Sequence, residues 1–437
     1  MSIAKLDPPT EIAGVRLDGS RECAAALDAR DPLANLRDEF VLPKHAGRQV
    51  TYLTGNSLGL QPRAVRAALM EELDAWGERA VDAHFDGAHP WFPYHEFLRS
   101  SAAHIVGARE HEVVVMNSLT TNLHLLLTTF YRPTRSRFRI LIEDAAFPSD
   151  IYVAKTQLRL HGVDPQDGLI VVRPPAGQHV IRNEEIESAI RAAGESLAVV
   201  LLGGVNYFTG QLFDLPRLAR AAHAVGAIFG VDAAHAAGNV PLRLHDDGVD
   251  FAAWCSYKYL NSGPGAVAGA FVHERHARDT SLPRMGGWWG NDPKLRFRMH
   301  LESEFVPVAT ADGWQLSNPP IMALAPTRVA YEMFQRVGMT ALRAKSEQLT
   351  AYARFLLSRM PSDGYEVITP DAMAERGCQW SLRFPGRGRA VQAALQAAGV
   401  VCDYREPDVV RAAPTPMYNR FVDVWEFVEA ARSVIPT

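Results

Sequence analysis

Phe251-Ala-Ala-Trp-Cys-Ser-Tyr-Lys258-Tyr-Leu-Asn-Ser-Gly-Pro-Gly265 starts apolar, turns polar at Ser256-Tyr257, presents a lysine and ends in a glycine- and proline-rich loop. The apolar part predicts a buried strand, which puts Lys258 at the strand's end. Burial weakens a lysine's preference for the charged form, and a neutral amine is a nucleophile. Upstream, Ala227-Ile-Phe-Gly-Val-Asp232-Ala-Ala-His235 repeats the pattern, with Asp232 as the first polar residue. In parallel sheets the carboxyl ends of the strands line the ligand crevice. Two neighbouring strands of this kind set a carboxylate and an amine on one rim.

The surrounding sequence alternates in the same way. Apolar runs predict strands over residues 113–116, 139–143, 169–172, 197–202, 227–231, 251–255 and 268–273. Helical spacing fills 121–130, 148–161, 183–193 and 215–225. Continuously apolar strands separated by helices predict a parallel sheet covered on both faces. Ahead of it, Pro62 starts a predicted helix to about residue 83 with Val65, Leu69, Leu73 and Trp76 as its apolar stripe. An aromatic and histidine-rich loop follows over 84–96, then a helix over 96–106. Beyond residue 320 the pattern changes. A helical stretch over 324–360 breaks near Gly338. A strand follows over 379–384, a helix over 389–398 and short strands near Val401 and Val409. The last helix runs from Asn419 to Ile435, with Phe421, Val424, Val428 and Ala431 facing inward. The expected division is a large domain over 51–322 and a smaller α+β domain over 323–437, joined by a lead-in over 1–50.

Composition narrows the partner. The chain has 437 residues, is 47% hydrophobic and carries a net charge of −4 without a basic run, so neither nucleic acid nor an anionic membrane is the expected partner. The default is a small molecule. Cys23, Cys255, Cys378 and Cys402 lie far apart and form no C-x-x-C pair, which fits a reducing cytoplasm better than a disulfide framework. No signal-peptide core opens the chain, and no apolar stretch is long enough to span a bilayer.

Alone, Asp232 and Lys258 fit a helix cap and an ion pair as well as a site. Together they fit pyridoxal phosphate (PLP): Lys258 forms a Schiff base, and Asp232 keeps the pyridine nitrogen protonated so that the ring is an electron sink. His235 orients either partner or is structural. Met116-Asn-Ser-Leu-Thr120-Thr-Asn122 runs from a strand into a helix, which suits a phosphate at a helix N-terminus or simple capping by Ser118 or Thr120. Phe147 lies on the same rim as a ring cover or as packing. Gly263-Pro-Gly265 has the wrong spacing for a dinucleotide loop, and no G-x-S-x-G elbow is present. His84, His89 and His95 lack a metal-site pattern, so no metal is expected.

Several motifs in order resemble kynureninase: Gly55-Asn-Ser-Leu-Gly59, Asn117-Ser-Leu-Thr120, Phe147-Pro-Ser-Asp150, Val231-Asp232-x-x-His235, Trp254-Cys-Ser-Tyr-Lys258, Gly287-Trp-Trp-Gly290, Ser317-Asn-Pro-Pro320 and Arg411 with Pro416-x-Tyr418. The resemblance covers roughly residues 50–427. It implies fold type I of PLP-dependent enzymes, the aspartate aminotransferase-like fold, with a mainly parallel seven-stranded sheet. It also implies a cytoplasmic homodimer that cleaves kynurenine or 3-hydroxykynurenine in tryptophan catabolism, on the way to NAD. Carried over by motif, Leu119, Thr120, Phe147, Ser149, Asp150, Asp232, His235, Tyr257, Lys258, Trp288 and Asn318 contact PLP. Ser57, His84, Asn318 and Arg411 hold the substrate, Arg411 through its carboxylate. Lys258, Tyr257 and Asp232 are the expected catalytic groups. Gly203 departs from the family, which often has a hydroxyl residue there. The rivals are another type I PLP enzyme, such as a cysteine desulfurase or aminotransferase, and a non-catalytic PLP-binding homologue.

Overall fold

The inner strands of the central sheet are buried on both faces, which is why they read as unbroken apolar runs, while the edge strand Leu169–Val172 is half-buried. The computed structural model describes residues 7–361 and 364–434; Ile435, the expected end of the last helix, lies outside the described residues. In chain order the strands are β1 Val113–Val115, β2 Arg139–Glu143, β3 Leu169–Val172, β4 Leu197–Gly203, β5 Ile228–Asp232, β6 Phe251–Trp254 and β7 Gly269–Val272. Across the sheet they lie β3-β2-β4-β5-β6-β7-β1. The first five in that order run parallel, whereas β7 is antiparallel to both its neighbours. The sheet is thus seven-stranded and mainly parallel, as the family resemblance implied; the apolar runs alone did not show that β7 runs the other way. Residues 255–268, between β6 and β7, carry no helix. A parallel return normally needs such a crossover.

Helices cover both faces. The α-helices of eight or more residues among the described ones are α1 Arg21–Asp28, α2 Val65–Arg79, α3 Arg99–Val106, α4 Leu119–Phe130, α5 Pro148–Leu160, α6 Asn183–Ala193, α7 Leu215–Ala224, α8 Ile321–Val337, α9 Met339–Ser358, α10 Gly388–Ala397 and α11 Phe421–Ser433. Successive strand residues point to opposite faces. Leu141, Val200, Val231 and Trp254 join one core with α2, α3, α6, α7 and α8. Ile142, Val199, Leu201 and Ala253 join the other with α4 and α5.

A further core gathers Ile12, Leu17 and Leu27 from the lead-in with Leu349, Leu356, Leu395 and Phe427. It packs on a four-stranded antiparallel sheet of β8 Glu366–Val367, β9 Trp380–Arg383, β10 Asp403–Arg405 and β11 Val409–Ala412, ordered β8-β9-β11-β10. The strand expected near Val401 is elsewhere: Val400–Val401 pairs in parallel with Thr51–Tyr52.

Helix α2 differs from its expected orientation. Its buried residues are Val65, Ala68, Glu72 and Ala75, while Leu73 and Trp76 are 45% and 62% exposed. The reason is polar. Glu72 accepts hydrogen bonds from Trp91 Nε1 at 2.8 Å and Tyr94 Oη at 2.7 Å, and a carboxylate with two donors can be buried where an unpaired one cannot. The aromatic loop supplies those donors and so sets the helix's rotation. The expected helix over 96–106 begins as a 3-10 turn, Tyr94–Leu98, and becomes α-helical only at Arg99.

The end of β6 is tied to α8. Trp254 Nε1 donates to Tyr331 Oη at 2.8 Å, and Ser256 Oγ lies 2.7 Å from the same oxygen. Tyr331→Phe leaves the buried Trp254 N–H without a partner. The expected result is a loss of about 1–3 kcal/mol in stability by urea unfolding. An unchanged unfolding midpoint would contradict this account of how the lysine strand is anchored.

Candidate active site

Parallel pairing aligns the carboxyl ends of three strands. Gly203 of β4 is in register with Asp232 of β5, and Asp232 is in register with Ala253 of β6. The chain beyond β6 then delivers Lys258, which is 7% exposed. Glu143, Phe147, Asp150, Gly203, Asn206, Tyr207, Asp232, His235 and Lys258 line one small cavity at this rim. A wider cavity of about 620 Å³ lies elsewhere, bordered by Arg354, Tyr365, Asp371 and Trp380, with no lysine among the described residues of its wall.

The backbone around Lys258 is held by close approach. Gly59 N–H donates to Tyr257 O at 2.8 Å, and a Cβ on Gly59 would lie 2.4 Å from Lys258 O. Only glycine lets the Gly55–Gly59 turn sit against the lysine loop. Ser57 is at the exposed tip of that turn. Lys258 Nζ is 5.5 Å from the Phe147 ring centroid and 6.0 Å from that of Tyr257. Phe147 stands edge-on to Tyr207, with centroids 5.3 Å apart.

Two helix starts converge beside this group. Ser118 is the N-cap of α4, yet its side chain makes no capping bond. Its hydroxyl lies 3.0 Å from Thr121 Oγ1 instead. Thr120, in the first turn of α4, is 2.8 Å by its hydroxyl from Ser149 Oγ, in the first turn of α5. Asn117 takes a positive φ of 52° to turn the chain into α4, and Asn122 Nδ2 holds that turn through Met116 O at 2.9 Å. Hydroxyls with uncapped helix starts suit a phosphate.

The electrostatics set the protons. Burial, then the charge of Asp232, pushes the Asp150 carboxyl well above the usual range. Burial also pushes Glu143 up to about 7 and keeps His235 neutral, its pKa well below the ordinary histidine value. Asp232 accepts the Ala234 N–H at 2.8 Å. Burial raises the Tyr257 hydroxyl and the Cys255 thiol. Asp150 Oδ1, Glu143 Oε2 and His235 Nδ1 are buried without hydrogen-bond partners. Orphaned polar atoms around a buried amine, next to a phosphate-shaped pair of helix starts, fit a PLP-sized polar group.

Arg411, on β11, reaches this region from the other sheet. It donates to Tyr207 O and pairs with Asp403, and its guanidinium lies 5.6 Å from the Tyr207 ring centroid. Its Nε has no partner. His84, Trp288 and Asn318 line no part of the Lys258 cavity. His84 packs on Trp91 at 5.2 Å, and Trp288 on Trp289 at 4.7 Å. Phe85, Phe92 and Phe297 tie these two neighbourhoods into one aromatic surface. Asn318 is exposed. The His84, His89 and His95 side chains go separate ways, to Trp91, Glu71 and Asp312.

Residues 342–431 match the family described as the kynureninase C-terminal domain. A kynureninase of Xanthomonas campestris pv. campestris (strain B100) is 55% identical over 413 residues, covering 94% of this chain and 97% of that one. The chain belongs to the kynureninase family. A second member, from Myxococcus xanthus (strain DK1622), is 51% identical over 413 residues, covering 94% and 96% of the two chains. The Escherichia coli cysteine desulfurase CsdA superposes with a TM-score of 0.74 at 17% identity, covering 92% of this chain and 99% of that one. A C-DES mutant with glycine covalently linked to its PLP cofactor gives 0.72 at 17%, covering 87% and 96%. At that identity the likeness shows the fold alone, and it is the fold type I expected for a kynureninase-like sequence.

Sequence reasoning passed over Glu143, Asn206 and Tyr207. Glu143 had a readable signal, the same one that singled out Asp232: a carboxylate closing an apolar strand, Arg139-Ile-Leu-Ile-Glu143. Tyr207 and Asn206 lie in a turn after β4 and carry no such signal.

Proposed function

We propose that this chain hydrolyses the Cβ–Cγ bond of L-kynurenine or 3-hydroxy-L-kynurenine, giving L-alanine and anthranilate or 3-hydroxyanthranilate. Water supplies the hydroxyl that ends on the former carbonyl carbon and the hydrogen that ends on Cβ. The observation that carries the reading is a buried Lys258 beside Asp232 and Phe147 in a chain 55% identical to a kynureninase. The test is incubation with L-kynurenine, with anthranilate followed by fluorescence and alanine by amino-acid analysis. Persulfide or keto acid in their place would point to a desulfurase or aminotransferase. Cys255 disfavours the desulfurase, because its thiol is buried and its pKa raised, the reverse of a reactive thiolate.

PLP, when bound, supplies an electron sink for carbanions next to the substrate amine. Lys258 would hold the cofactor and carry the Cα proton. Asp232 would hold a proton on the ring nitrogen. Thr120, Ser149 and the start of α4 with Leu119 would take the phosphate, and Asp150, His235 and Phe147 would hold the ring. Tyr257 moves a proton to or from the γ-carbonyl oxygen as water adds. Arg411 takes the α-carboxylate.

The remaining groups come from a second copy. Leu73, Trp76, Val81, Phe85 and Phe297 are exposed apolar side chains, and a homodimer would bury such a face and bring Trp288 and Asn318 to the partner's cavity. Mixing inactive Lys258→Ala protein with inactive Trp288→Ala protein is expected to restore roughly a quarter of wild-type activity, because half of randomly formed dimers keep one intact site of two. No recovery after unfolding and refolding the mixture would place each site within one chain. We also read residues 51–322 as the PLP-binding domain and 1–50 with 323–437 as the small domain, which the core shared by the lead-in and α9–α11 supports. No helix among the described residues is long and apolar enough to cross a membrane. Four free buried cysteines favour the cytoplasm, where the reaction would serve tryptophan catabolism.

His84 refines the substrate. Its Nδ1 faces Val81 O at 3.0 Å. A carbonyl only accepts, so Nδ1 carries the hydrogen and Nε2 is left as an acceptor. With Asn318 it suits the ring hydroxyl of 3-hydroxykynurenine. The expected kcat/KM favours that substrate over kynurenine by more than about tenfold; a preference for plain kynurenine rejects the assignment.

A further inference from the structure

Of the carboxyl groups around Lys258, Glu143 is the one without an assigned task. It closes β2, is 3% exposed and accepts the Gly203 N–H through Oε1 at 3.0 Å. Its Oε2 is buried and has no hydrogen-bond partner, although the residue lines the same cavity as Lys258, Asp150, Asp232 and His235. The Asn206 amide donates to Ala145 O at 3.1 Å and also faces the Glu143 carboxyl, where it favours the ionised form. Gly203 leaves this corner open. It adds no side-chain donor, and a Cβ there would press on Glu143 Oε1 at 3.0 Å.

We propose that Glu143 is a further cofactor ligand, a neutral carboxyl whose free Oε2 donates a hydrogen bond to the phenolic oxygen of PLP. The ring carbon that bears that oxygen is next to the one that bears the aldehyde with which Lys258 would condense, and the oxygen is an acceptor. An ionised Glu143 in the same wall would repel it. A protonated one supplies the donor that Gly203 does not. The groups facing Glu143 are Gly203 and Asn206 from the end of β4 and the turn after it, Asp150 from α5, Asp232 and His235 from the end of β5, and Lys258 from beyond β6. Burial and Asp232 favour the proton on Glu143, against its own backbone N–H, the Gly203 N–H and the Asn206 amide, which favour the charge. The inference rests on the PLP reading above and is independent of which substrate is cleaved.

The test uses the PLP-free protein and its reconstitution. PLP affinity and the pH midpoint of the bound cofactor's visible band are measured for Glu143→Gln, Glu143→Ala, and Glu143→Ala combined with Gly203→Ser. Glutamine is neutral and keeps a donor, so affinity stays within about threefold and the midpoint is unmoved. Alanine removes the donor and weakens PLP binding by about tenfold. The serine at 203 restores most of that loss. A midpoint about one unit lower in Glu143→Gln would mean that a negative charge had been removed, and overturns the proposal. So does wild-type PLP affinity in Glu143→Ala, or a double variant that recovers nothing. Circular dichroism establishes folding, and if Glu143→Ala does not fold, the Glu143→Gln titration decides alone. Kynurenine turnover is not read in any arm, so a wrong substrate and a wrong Glu143 give different results.

Discussion

Lys258→Ala lowers kynurenine turnover by at least about a thousandfold, the scale on which a positioned proton carrier and nucleophile acts. Among the described residues Lys258 is the only amine in the cavity wall, so no neighbour there could take over the covalent and proton-carrying work proposed for it. The fold should survive the change. Among the described residues Lys258 makes no close ion pair, and its Nζ lies 5.5 Å and 6.0 Å from the ring centroids of Phe147 and Tyr257. Such cation–π contacts are worth about 0.5–2 kcal/mol, small against the stability of a chain this size. Turnover above about a tenth of wild type, in protein with a native circular dichroism spectrum, would remove Lys258 from the mechanism.

Asp232→Asn comes next in size. In the proposed mechanism the carboxylate would hold a proton on the ring nitrogen, and asparagine keeps the shape and an oxygen for the Ala234 N–H. What it loses is the charge. A charge-assisted hydrogen bond is worth about 1.5–3 kcal/mol, so PLP affinity should fall roughly 10–100-fold. Turnover should fall further, because every carbanionic step depends on the protonated ring. Fluorescence titration of the PLP-free variant measures the first and steady-state kinetics the second. Normal values for both would leave Asp232 as a cap for the turn after β5 and nothing more.

The sheet was legible because its strands are buried on both sides and bounded by helices with clear spacing. Residues 139–143, 169–172 and 183–193 form elements with the bounds their composition predicts. The direction of β7 was not legible. Its apolar run looks like its neighbours, and direction depends on the connection, whose helix-free course is set by Gly263, Pro264 and Gly265. Helix α2 failed for a different reason. Reading apolar residues alone turned Leu73 and Trp76 inward, whereas Glu72 is the buried residue because Trp91 and Tyr94, some twenty positions on, satisfy it. A partner that distant leaves no mark in the local pattern.

The carboxylate was legible because Asp232 is a polar residue closing an apolar strand, and the lysine because it soon follows one; Lys258 lies four residues past the end of β6, and pairing of β5 with β6 brings the two to one rim. The phosphate cradle was half legible. Met116–Asn122 announced a strand-to-helix turn, but the Thr120–Ser149 contact joins two helices and needs the fold. His84, Trp288 and Asn318 carry meaning only through the kynureninase motifs. In a single chain they belong to a surface apart from the cavity, which a second copy must complete for the substrate reading to hold.

A single turnover in ¹⁸O-labelled water tests the central claim, hydrolytic cleavage at the Lys258 site, most directly. Kynurenine is added to excess PLP-loaded protein, and anthranilate and alanine are analysed by mass spectrometry. The account predicts one labelled oxygen in the anthranilate carboxylate, unlabelled alanine, and neither product from Lys258→Ala. Unlabelled anthranilate, or a keto acid in place of alanine, would contradict it.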